Sequence, residues 1–157
     1  MKKIALTHGF VALIDAEDFE LVSGHRWCAS KGRTTFYALT TIRMPDGRRT
    51  NLKMHRLIMQ PPAEMQIDHV DRDGLNNQRD NLRLATPSEN KRNCSTYSNS
   101  MSGFKGVCFC KDCHAWQARI VADNKRISLG LYATAEAAHA AYCAASIRYH
   151  GAFGRVA

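Results

Sequence analysis

Acidic, imidazole and amide side chains occur together in the middle of the 157-residue sequence. Asp68 directly precedes His69, and Asn81 and Asn90 follow within the next 21 positions. Hydrolysis of a phosphodiester bond needs an activated water molecule, charge neutralisation on the phosphorane oxygens and stabilisation of the leaving 3′ oxygen. A histidine beside an acid, joined by amides from another strand and a helix, has groups for all three tasks. These residue types therefore point to phosphodiester hydrolysis.

The segment around these residues predicts two short strands followed by a helix. Residues 66–70 and 81–85 have strand character, and Asp73-Gly74 between them marks a turn. Thr86-Pro87-Ser88-Glu89 has the signature of a helix start: Thr is the N-cap, Pro takes the first helical position, and Glu stands three residues after the cap. Asn90 therefore falls in the first turns of that helix.

The same residues resemble a known nuclease motif. Asp68-His69, Asn81-Leu82-Arg83 and Asn90 are similar, in order and spacing, to the HNH or ββα-metal motif of phage and intron-encoded homing endonucleases. The preceding Met54-His55-Arg56-Leu57-Ile58 resembles what leads into the motif in that group. The resemblance covers residues 54–93. It implies a metal-dependent enzyme that cuts or nicks double-stranded DNA and leaves 5′-phosphate and 3′-hydroxyl ends.

The resemblance also implies a role for each motif residue. His69 would be the general base that takes a proton from water, and Asn81 would orient it by bonding across the two strands. Asp68 and Asn90 would hold one Mg²⁺ or Mn²⁺ that bridges the scissile phosphate and the leaving oxygen. Many HNH nucleases have His where this chain has Asn90, and oxygen ligands favour Mg²⁺ or Mn²⁺ over Zn²⁺.

Other charged side chains of this segment have two interpretations each. Arg72, Arg79 and Arg83 either contact phosphates or are solvated charges, and Arg83 is the DNA-binding candidate among them. Asp71 and Asp73 either join the metal site or shape the turn that follows them, which is the interpretation we favour.

The first 59 residues predict short strands with turns between them, and then a helix. The strands are expected at 4–7, 10–14, 26–30, 34–44 and 51–54, with short helices at 15–22 and 55–59 and a hairpin turn at 45–47. His55, at the entry of the second helix, either lies near the site or is structural, which is the interpretation we favour. The basic side chains of this part either grip DNA or form a solvated sheet face: Lys31, Arg33, Arg43, Arg48, Arg49 and Lys53. The Arg48-Arg49 hairpin is the best candidate for phosphate contact.

Residues 102–157 resemble a second family, the plant ethylene-response-factor or Apetala-type DNA-binding domain. The resemblance is carried by four stretches of the sequence: residues 102–107, 116–120, 127–132 and 135–142. It implies a three-stranded antiparallel sheet packed on one helix, with the sheet in the major groove. Strands predicted at 106–109, 115–121 and 125–131, with turns at 111–112 and 123–124, agree with that fold. So does a helix at 135–150 that begins at a Thr134 cap and stops at Gly151.

A sheet that faces a groove needs long basic and aromatic side chains to reach phosphates and base edges. The candidates in this domain are Lys105, Phe109, Lys111, Trp116, Arg119, Lys125 and Arg126. For Phe109 and Trp116, packing against the helix is an equally good interpretation.

Cys108, Cys110, Cys113 and His114 depart from the pattern of that second family. Side chains of these types bind zinc, but Cys108 and Cys110 are two apart on a predicted strand and share a face, whereas four zinc ligands must converge tetrahedrally. We therefore expect reduced thiols, with a structural Zn²⁺ as the alternative. A zinc site would favour a zinc-containing RNA or DNA adaptor.

The composition is basic, with 22 Lys and Arg against 14 Asp and Glu and a net charge of +8. Residues 1–94 carry 15 basic and 11 acidic side chains and residues 95–157 carry 7 and 3, so each part contributes +4. Such an excess favours polyanionic partners. No apolar run approaches the ~18 residues of a membrane span, and no signal-peptide pattern follows Met1. We therefore expect a soluble, cytoplasmic protein without a membrane partner. The resemblance to phage homing endonucleases implies that it is phage-encoded.

These patterns together predict an α+β protein of two domains. Residues 1–94 would be a ββα-metal nuclease with N-terminal antiparallel strands, 95–101 a linker, and 102–157 a DNA-binding domain. The expected function is a homing-type HNH endonuclease that binds double-stranded DNA as a monomer or homodimer; a monomer would most naturally nick. The alternative is a catalytically inactive, sequence-specific DNA-binding regulator.

Overall fold

The chain folds into two compact units, Met1–Asn90 and Lys91–Ala157. The structure is a computed structural model that describes residues 1–93, 101–123 and 125–154. Antiparallel sheets combine with short helices, which confirms the expected α+β class. The expected linker at 95–101 lies outside the described residues except for Met101, and the expected turn at 123–124 does so in part. In the ranges that are described, no helix is long and apolar enough to cross a membrane.

The first unit contains three antiparallel sheets, and most of its elements lie within a few residues of their predicted positions. β1 pairs with β2, β4 lies between β3 and β5, and β6 pairs with β7. In chain order the elements are β1 (Lys2–Ala5), β2 (Val11–Ile14), α1 (Phe19–Ser23), β3 (Cys28–Lys31), β4 (Phe36–Arg43), β5 (Arg49–Lys53), α2 (Met54–Met59), β6 (Gln66–His69), β7 (Leu82–Ala85) and α3 (Pro87–Asn93), whose last residues belong to the second unit.

The core of the first unit collects apolar side chains from every part of it. Trp27 is buried there, and its indole nitrogen donates to the backbone oxygen of Val22 at 2.9 Å, so the polar edge of the ring is satisfied. Ile67 and Leu82 bring β6 and β7 into this core, which fixes the hairpin that carries Asp68 and His69. The remaining fully buried members are Leu6, Ala12, Ile14, Val22, Ala38, Met54 and Ile58.

The second unit is a three-stranded antiparallel sheet packed on one long helix. Its elements are β8 (Val107–Cys110), β9 (Ala115–Ala122), β10 (Lys125–Tyr132) and α4 (Ala135–His150), and the strand order is β10-β9-β8. The Thr134 hydroxyl accepts a hydrogen bond from the backbone nitrogen of Ala137 at 3.2 Å, and Gly151 follows the helix with φ 51°. Both predicted ends of α4 are therefore confirmed.

The face of α4 that packs on the sheet ends in a histidine. Ala138, Tyr142, Ala145 and His150 are buried, whereas Tyr149 is exposed. The ring nitrogen Nε2 of His150 donates to the backbone oxygen of Val121 on β9 at 2.9 Å, and burial lowers the pKa of this histidine. A polar side chain with a strand carbonyl as partner thus ends the apolar stripe.

One face of this sheet packs on α4 and the other is open. On β9 the side chains of Ala118, Ile120 and Ala122 are buried, so the residues between them point to the opposite side. Residues directly opposite in antiparallel strands share a face, which extends the assignment to β8 and β10. This open face consists of Cys108, Cys110, Ala115, Gln117, Arg119, Val121, Arg126, Ser128 and Leu131.

Gly106 allows the start of β8 to approach α4. Its φ is 73°, and a Cβ atom there would lie 2.2 Å from Cδ2 of Tyr142 and 2.7 Å from the backbone oxygen of Arg119. Gly103 has a similar φ of 69°, but a Cβ there would meet no atom within 4 Å. Comparing alanine substitutions at the two glycines therefore separates the free-energy cost of the backbone conformation from that of the steric clash.

Gly106→Ala should destabilise the second unit more than Gly103→Ala. The positive φ costs roughly 1–2 kcal/mol at either site, and overpacking against Tyr142 adds roughly 1–3 kcal/mol at Gly106 alone. Hydrogen exchange of the β8 and β9 amides in the full chain measures the difference. Equal acceleration in both variants would mean that the Tyr142 ring moves aside without cost.

Candidate active site and nucleic-acid interface

Asp68 and His69 stand at the end of β6, within the antiparallel hairpin that β6 forms with β7. Asp68 lies opposite Arg83 and His69 lies opposite Leu82. Both polar side chains are buried, with exposed fractions of 5% and 6%. A buried acid and a buried imidazole require fixed partners, and the surrounding contacts supply them.

Arg83 forms an ion pair with Asp68. Its Nε and Nη2 atoms donate to Asp68 Oδ2 at 2.9 Å and 2.6 Å. The guanidinium thus neutralises the buried carboxylate from the neighbouring strand. Arg83, the expected DNA contact, is thus paired with Asp68, and its contact with DNA stays a prediction.

The side chain of Asn81 has a different local role from the one expected. Its amide nitrogen donates to Asp71 Oδ1 at 2.9 Å and to the backbone oxygen of Asn76 at 2.8 Å, and its oxygen accepts from the backbone nitrogen of Asp71 at 3.0 Å. These bonds go to loop 70–78 between the two strands, not to the ring of His69. Asn81 therefore holds the loop that begins directly after His69.

Asp71 is the centre of that loop. Besides the Asn81 contact, Asp71 Oδ1 accepts from the backbone nitrogen of Asp73 at 2.8 Å, and Oδ2 accepts from the Asn76 amide at 2.7 Å. Burial raises the pKa of Asp71, but hydrogen bonds from Asn76, Asp73 and Asn81 together bring it below its ordinary value. The prediction that Asp71 and Asp73 shape the turn agrees with these bonds.

Loop 70–78 is also fastened to the N-terminal strands. Leu13 on β2 donates its backbone nitrogen to Leu75 and accepts from Asn77, both at 2.8 Å, and the Thr35 hydroxyl accepts from Gly74 at 3.1 Å. A Cβ on Gly74 would lie 2.4 Å from the backbone oxygen of Phe36, so this close approach requires glycine.

Arg79 also anchors the loop. Its Nε and Nη2 atoms donate to the two carboxylate oxygens of the buried Asp18 at 3.0 Å and 2.7 Å, and its backbone nitrogen donates to Asp15 at 2.8 Å. The sequence left two interpretations for Arg79, a phosphate contact or a solvated charge. This bidentate pair corresponds to neither of them. Arg79 ties the approach to β7 to the segment before α1.

His69 lies in a ring cluster that the sequence did not indicate. Its ring centroid is 5.0 Å from that of His55 on α2 and 5.9 Å from that of Tyr37 on β4. Burial lowers the pKa of His69 and outweighs the Asn77 side chain and the nearby carboxylates, which raise it. His69 is therefore neutral near pH 7 and able to accept a proton.

Asn90 is positioned by the predicted capping box of α3. The Thr86 hydroxyl accepts from the Glu89 backbone nitrogen at 3.3 Å, and the Glu89 carboxylate accepts from the Thr86 backbone nitrogen at 2.8 Å. This confirms the predicted helix start. The amide nitrogen of Asn90 donates to Gln66 Oε1 on β6 at 2.6 Å, which links the helix to the hairpin.

The donor set at these residues fits a hard divalent cation. Asp68 offers a carboxylate and Asn90 an amide oxygen, and Mg²⁺ is commonly held by one or two protein groups together with phosphate and water. No cluster of three or more His, Cys, Asp or Glu able to hold a metal occurs in the described parts of the chain.

The β4–β5 hairpin exposes three arginines at its tip. Arg43 lies directly opposite Arg49 in the sheet, and like charges in such positions are unfavourable without an anion. Arg48 is exposed, and its side chain contacts Asp46 at 2.6 Å and 2.7 Å. Of the two residues predicted to contact phosphate, Arg48 therefore has a local partner in Asp46.

The DNA-binding candidates of the second unit separate onto different surfaces. Arg119 and Arg126 lie on the open face, and Lys111 is exposed in the β8–β9 turn. Lys125 lies opposite the buried Ala122, on the helix side of the sheet edge. Lys105 donates to the backbone oxygen of Arg92.

The two aromatic candidates do not lie on the open face. Trp116 packs in the cluster of Val107 and Ala118 under α4, and Phe109 contacts Trp116 edge to face with ring centroids 5.1 Å apart. Phe109 and Trp116 share the side of Val107 because strand residues alternate between faces. Trp116 therefore packs on the helix side, the second of its two interpretations, whereas Phe109 is 39% exposed and contacts Trp116.

The cysteine-rich turn offers no support for the zinc alternative. The sulfur of Cys108 contacts Gln117 Oε1 at 3.8 Å, and a hydrogen bond with Cys110 raises the pKa of the Cys113 thiol. Cys108, Cys110, Cys113 and His114 belong to the described residues, among which no group of three or more His, Cys, Asp or Glu is placed to hold a metal. The expectation of reduced thiols, with zinc as the alternative, stays a prediction.

Three contacts of the candidate active site were not predicted from the sequence. The ring contacts of Tyr37 and His55 with His69 join residues far apart in the chain, and no local spacing signals them. The Asp68–Arg83 pair could have been found from the hairpin register. When β6 and β7 pair with Gln66 opposite Ala85, Asp68 lies opposite Arg83.

Comparison with known proteins now gives the class of this site. Residues 53–92 match the family model described as HNH endonuclease. These residues include α2, β6, β7 and most of α3, and hence the acid, histidine and amides described above. This part of the chain is therefore similar to HNH endonucleases, and the similarity supports a nuclease.

Two viral proteins are similar to the chain over longer stretches. Protein 3.8 of Escherichia phage T7 is 40% identical over 65 residues, which is 41% of this chain and 54% of that protein. An uncharacterized HNH endonuclease of Acanthamoeba polyphaga mimivirus is 33% identical over 106 residues, 63% of this chain and 49% of that protein. The matched regions thus span about half the length of each relative.

Asn81→Ala should loosen loop 70–78. The change removes three hydrogen bonds, two of them to the exposed Asp71, which together should cost roughly 1–3 kcal/mol of unfolding free energy. Denaturant unfolding and hydrogen exchange at the Asp71 amide measure the loss. Asn51→Ala removes one exposed hydrogen bond with Thr41 and is the matched control. Equal effects of both changes would contradict the role given to Asn81.

Proposed function

We propose that the protein is a divalent-metal-dependent HNH endonuclease of homing type that hydrolyses phosphodiester bonds in double-stranded DNA. The observation that carries the proposal is the ββα arrangement of β6, β7 and α3, which gathers Asp68, His69 and Asn90 in one HNH-like segment. The basic charge of +8 agrees with a polyanionic substrate.

In the proposed reaction His69 acts first. Its burial favours the neutral ring, which accepts a proton from water as the water attacks the phosphorus. Loop 70–78 and the β6–β7 ladder hold the backbone of His69 while the charge of the imidazolium develops. The carboxylates of Asp68 and Asp71, which favour the protonated ring, stabilise it.

Asp68 and Asn90 would hold the cation, preferably Mg²⁺ or Mn²⁺. When bound, it supplies positive charge to the phosphate and to the leaving 3′ oxygen. Arg83 pairs with Asp68 across the hairpin at 2.6 Å. Asn90 is held near β6 by its bond to Gln66. The expected products carry 5′-phosphate and 3′-hydroxyl ends.

His69→Ala should abolish cleavage. Supercoiled plasmid and phage DNA incubated with the full chain should become nicked or linear with Mg²⁺ and stay intact with EDTA, and the variant should lose at least about 100-fold in rate. His8→Asn is a suitable control, because Asn tolerates the positive φ of 60° at that position. Full Mg²⁺-dependent cleavage by His69→Ala would overturn the mechanism.

The second unit would read the DNA sequence with its open face. Arg119 and Arg126 on that face present guanidinium groups to phosphates or guanine edges, while Val121 and Leu131 offer exposed apolar surface to thymine methyl groups. A sheet face with few acidic neighbours is suited to a major groove. The resemblance of residues 102–157 to ethylene-response-factor domains supports this assignment.

Arg119→Ala and Arg126→Ala should each weaken binding of duplex DNA. If each arginine neutralises one phosphate, the slope of log affinity against log salt should fall by about one per change. Arg148→Ala on the exposed side of α4 removes the same charge and is the matched control. Titrations at several salt concentrations measure the slopes, and an equal effect of Arg148→Ala would argue against the open face.

The second candidate function is a DNA-binding regulator that does not cut. The separate open face of the second unit favours it, because that surface needs no catalysis to bind DNA. The cleavage experiment distinguishes the two: no product from the wild type at any divalent metal, with the DNA still shifted on a gel, would favour the regulator.

A further inference from the structure

His55 is a buried ionisable side chain that the proposed mechanism does not use. It is the second residue of α2 and is 6% exposed, in a segment whose neighbours Lys53 and Arg56 are basic. Burial, followed by the charges of His69, Lys53 and Arg56, lowers the pKa of His55 to about 3. His55 is therefore an uncharged ring throughout the pH range of ordinary enzyme activity.

Three rings surround one another in this region. The centroids of His55 and His69 are 5.0 Å apart with ring planes at 75°, and those of Tyr37 and His55 are 5.7 Å apart at 76°. Tyr37 and His69 complete the triangle at 5.9 Å and 57°. Edge-to-face contacts of this kind have a preferred angle, so each ring limits the rotation of the others.

Tyr37 is itself held firmly. A Cβ on Gly74 would lie 2.6 Å from its Cδ1 atom, and one on Gly32 would lie 2.6 Å from its Cε2 atom, so both glycines pack closely on the ring. The ammonium group of Lys53 lies over the ring at 4.6 Å from its centroid. The ring cluster is therefore anchored to the sheet of the first unit and does not depend on His69.

We propose that His55 is a positioning residue for the general base, and that with Tyr37 it fixes the ring plane of His69 toward the attacked phosphate. The proposal rests on the proposed nuclease function. A flat ring is required because the edge-to-face contact with His69 limits its rotation, which an aliphatic side chain would not do. A general base must meet the water within hydrogen-bond reach, and small displacements at such a site reduce rates strongly.

The test compares His55→Phe with His55→Leu. Phe keeps a flat ring and Leu keeps only apolar volume, so His55→Phe should retain kcat within about threefold, whereas His55→Leu should lose about tenfold or more at unchanged KM for DNA. If His55 only fills the core, the activity of each variant should instead fall in step with its loss of unfolding free energy. Wild-type activity and the inactivity of His69→Ala establish the nuclease function independently of this comparison.

An NMR measurement needs neither metal nor DNA. Nuclear Overhauser contacts between the ring protons of residues 55 and 69 should persist in His55→Phe, and a single set of His69 ring signals should broaden or split in His55→Leu. If His55→Leu does not fold, Tyr37→Leu against Tyr37→Phe repeats the comparison from the other side of the ring. Wild-type kcat in a folded His55→Leu variant, or equal loss in the Phe and Leu variants, would overturn the proposal.

Discussion

The hydrogen bonds to the Asp71 carboxylate are the interaction on which the candidate active site depends. Asn81, Asn76 and the backbone of Asp73 all donate to it, and they close loop 70–78 into one shape. β6 and β7 have only four residues each, and a two-stranded ribbon of that length is marginal by itself. The loop therefore sets how the two strands meet. Because His69 stands directly before the loop, its backbone position follows from the same bonds.

The N-terminal strands give this small hairpin the support that it lacks. Backbone bonds from Leu13 hold the loop on one side, and the bidentate Arg79–Asp18 pair holds the approach to β7. The absence of a side chain at Gly74 lets the loop reach Phe36 and Tyr37. The segment before the HNH-like residues is thus part of the site's framework, although none of its residues is assigned to the chemistry.

Features with local causes could be predicted from the sequence, and features with distant partners could not. The capping box at Thr86 and the ends of α4 depend on neighbours within four residues, and both are found as predicted. The partners of Asn81 depend on how loop 70–78 folds, and the face of Trp116 depends on the side from which α4 packs. Alternation along β9 divides its residues into two sets, but only the helix determines which set is buried.

In the proposed mechanism, Asp68 would have to satisfy two conditions that oppose each other. A carboxylate that holds a cation has to be accessible to it, and a carboxylate in the protein interior is costly unless a partner neutralises it. Arg83 is that partner across the hairpin, with Nε and Nη2 both donating to Oδ2. The first unit therefore supplies a counter-charge for Asp68 from within its own hairpin. A cation held by Asp68 would share this carboxylate with Arg83.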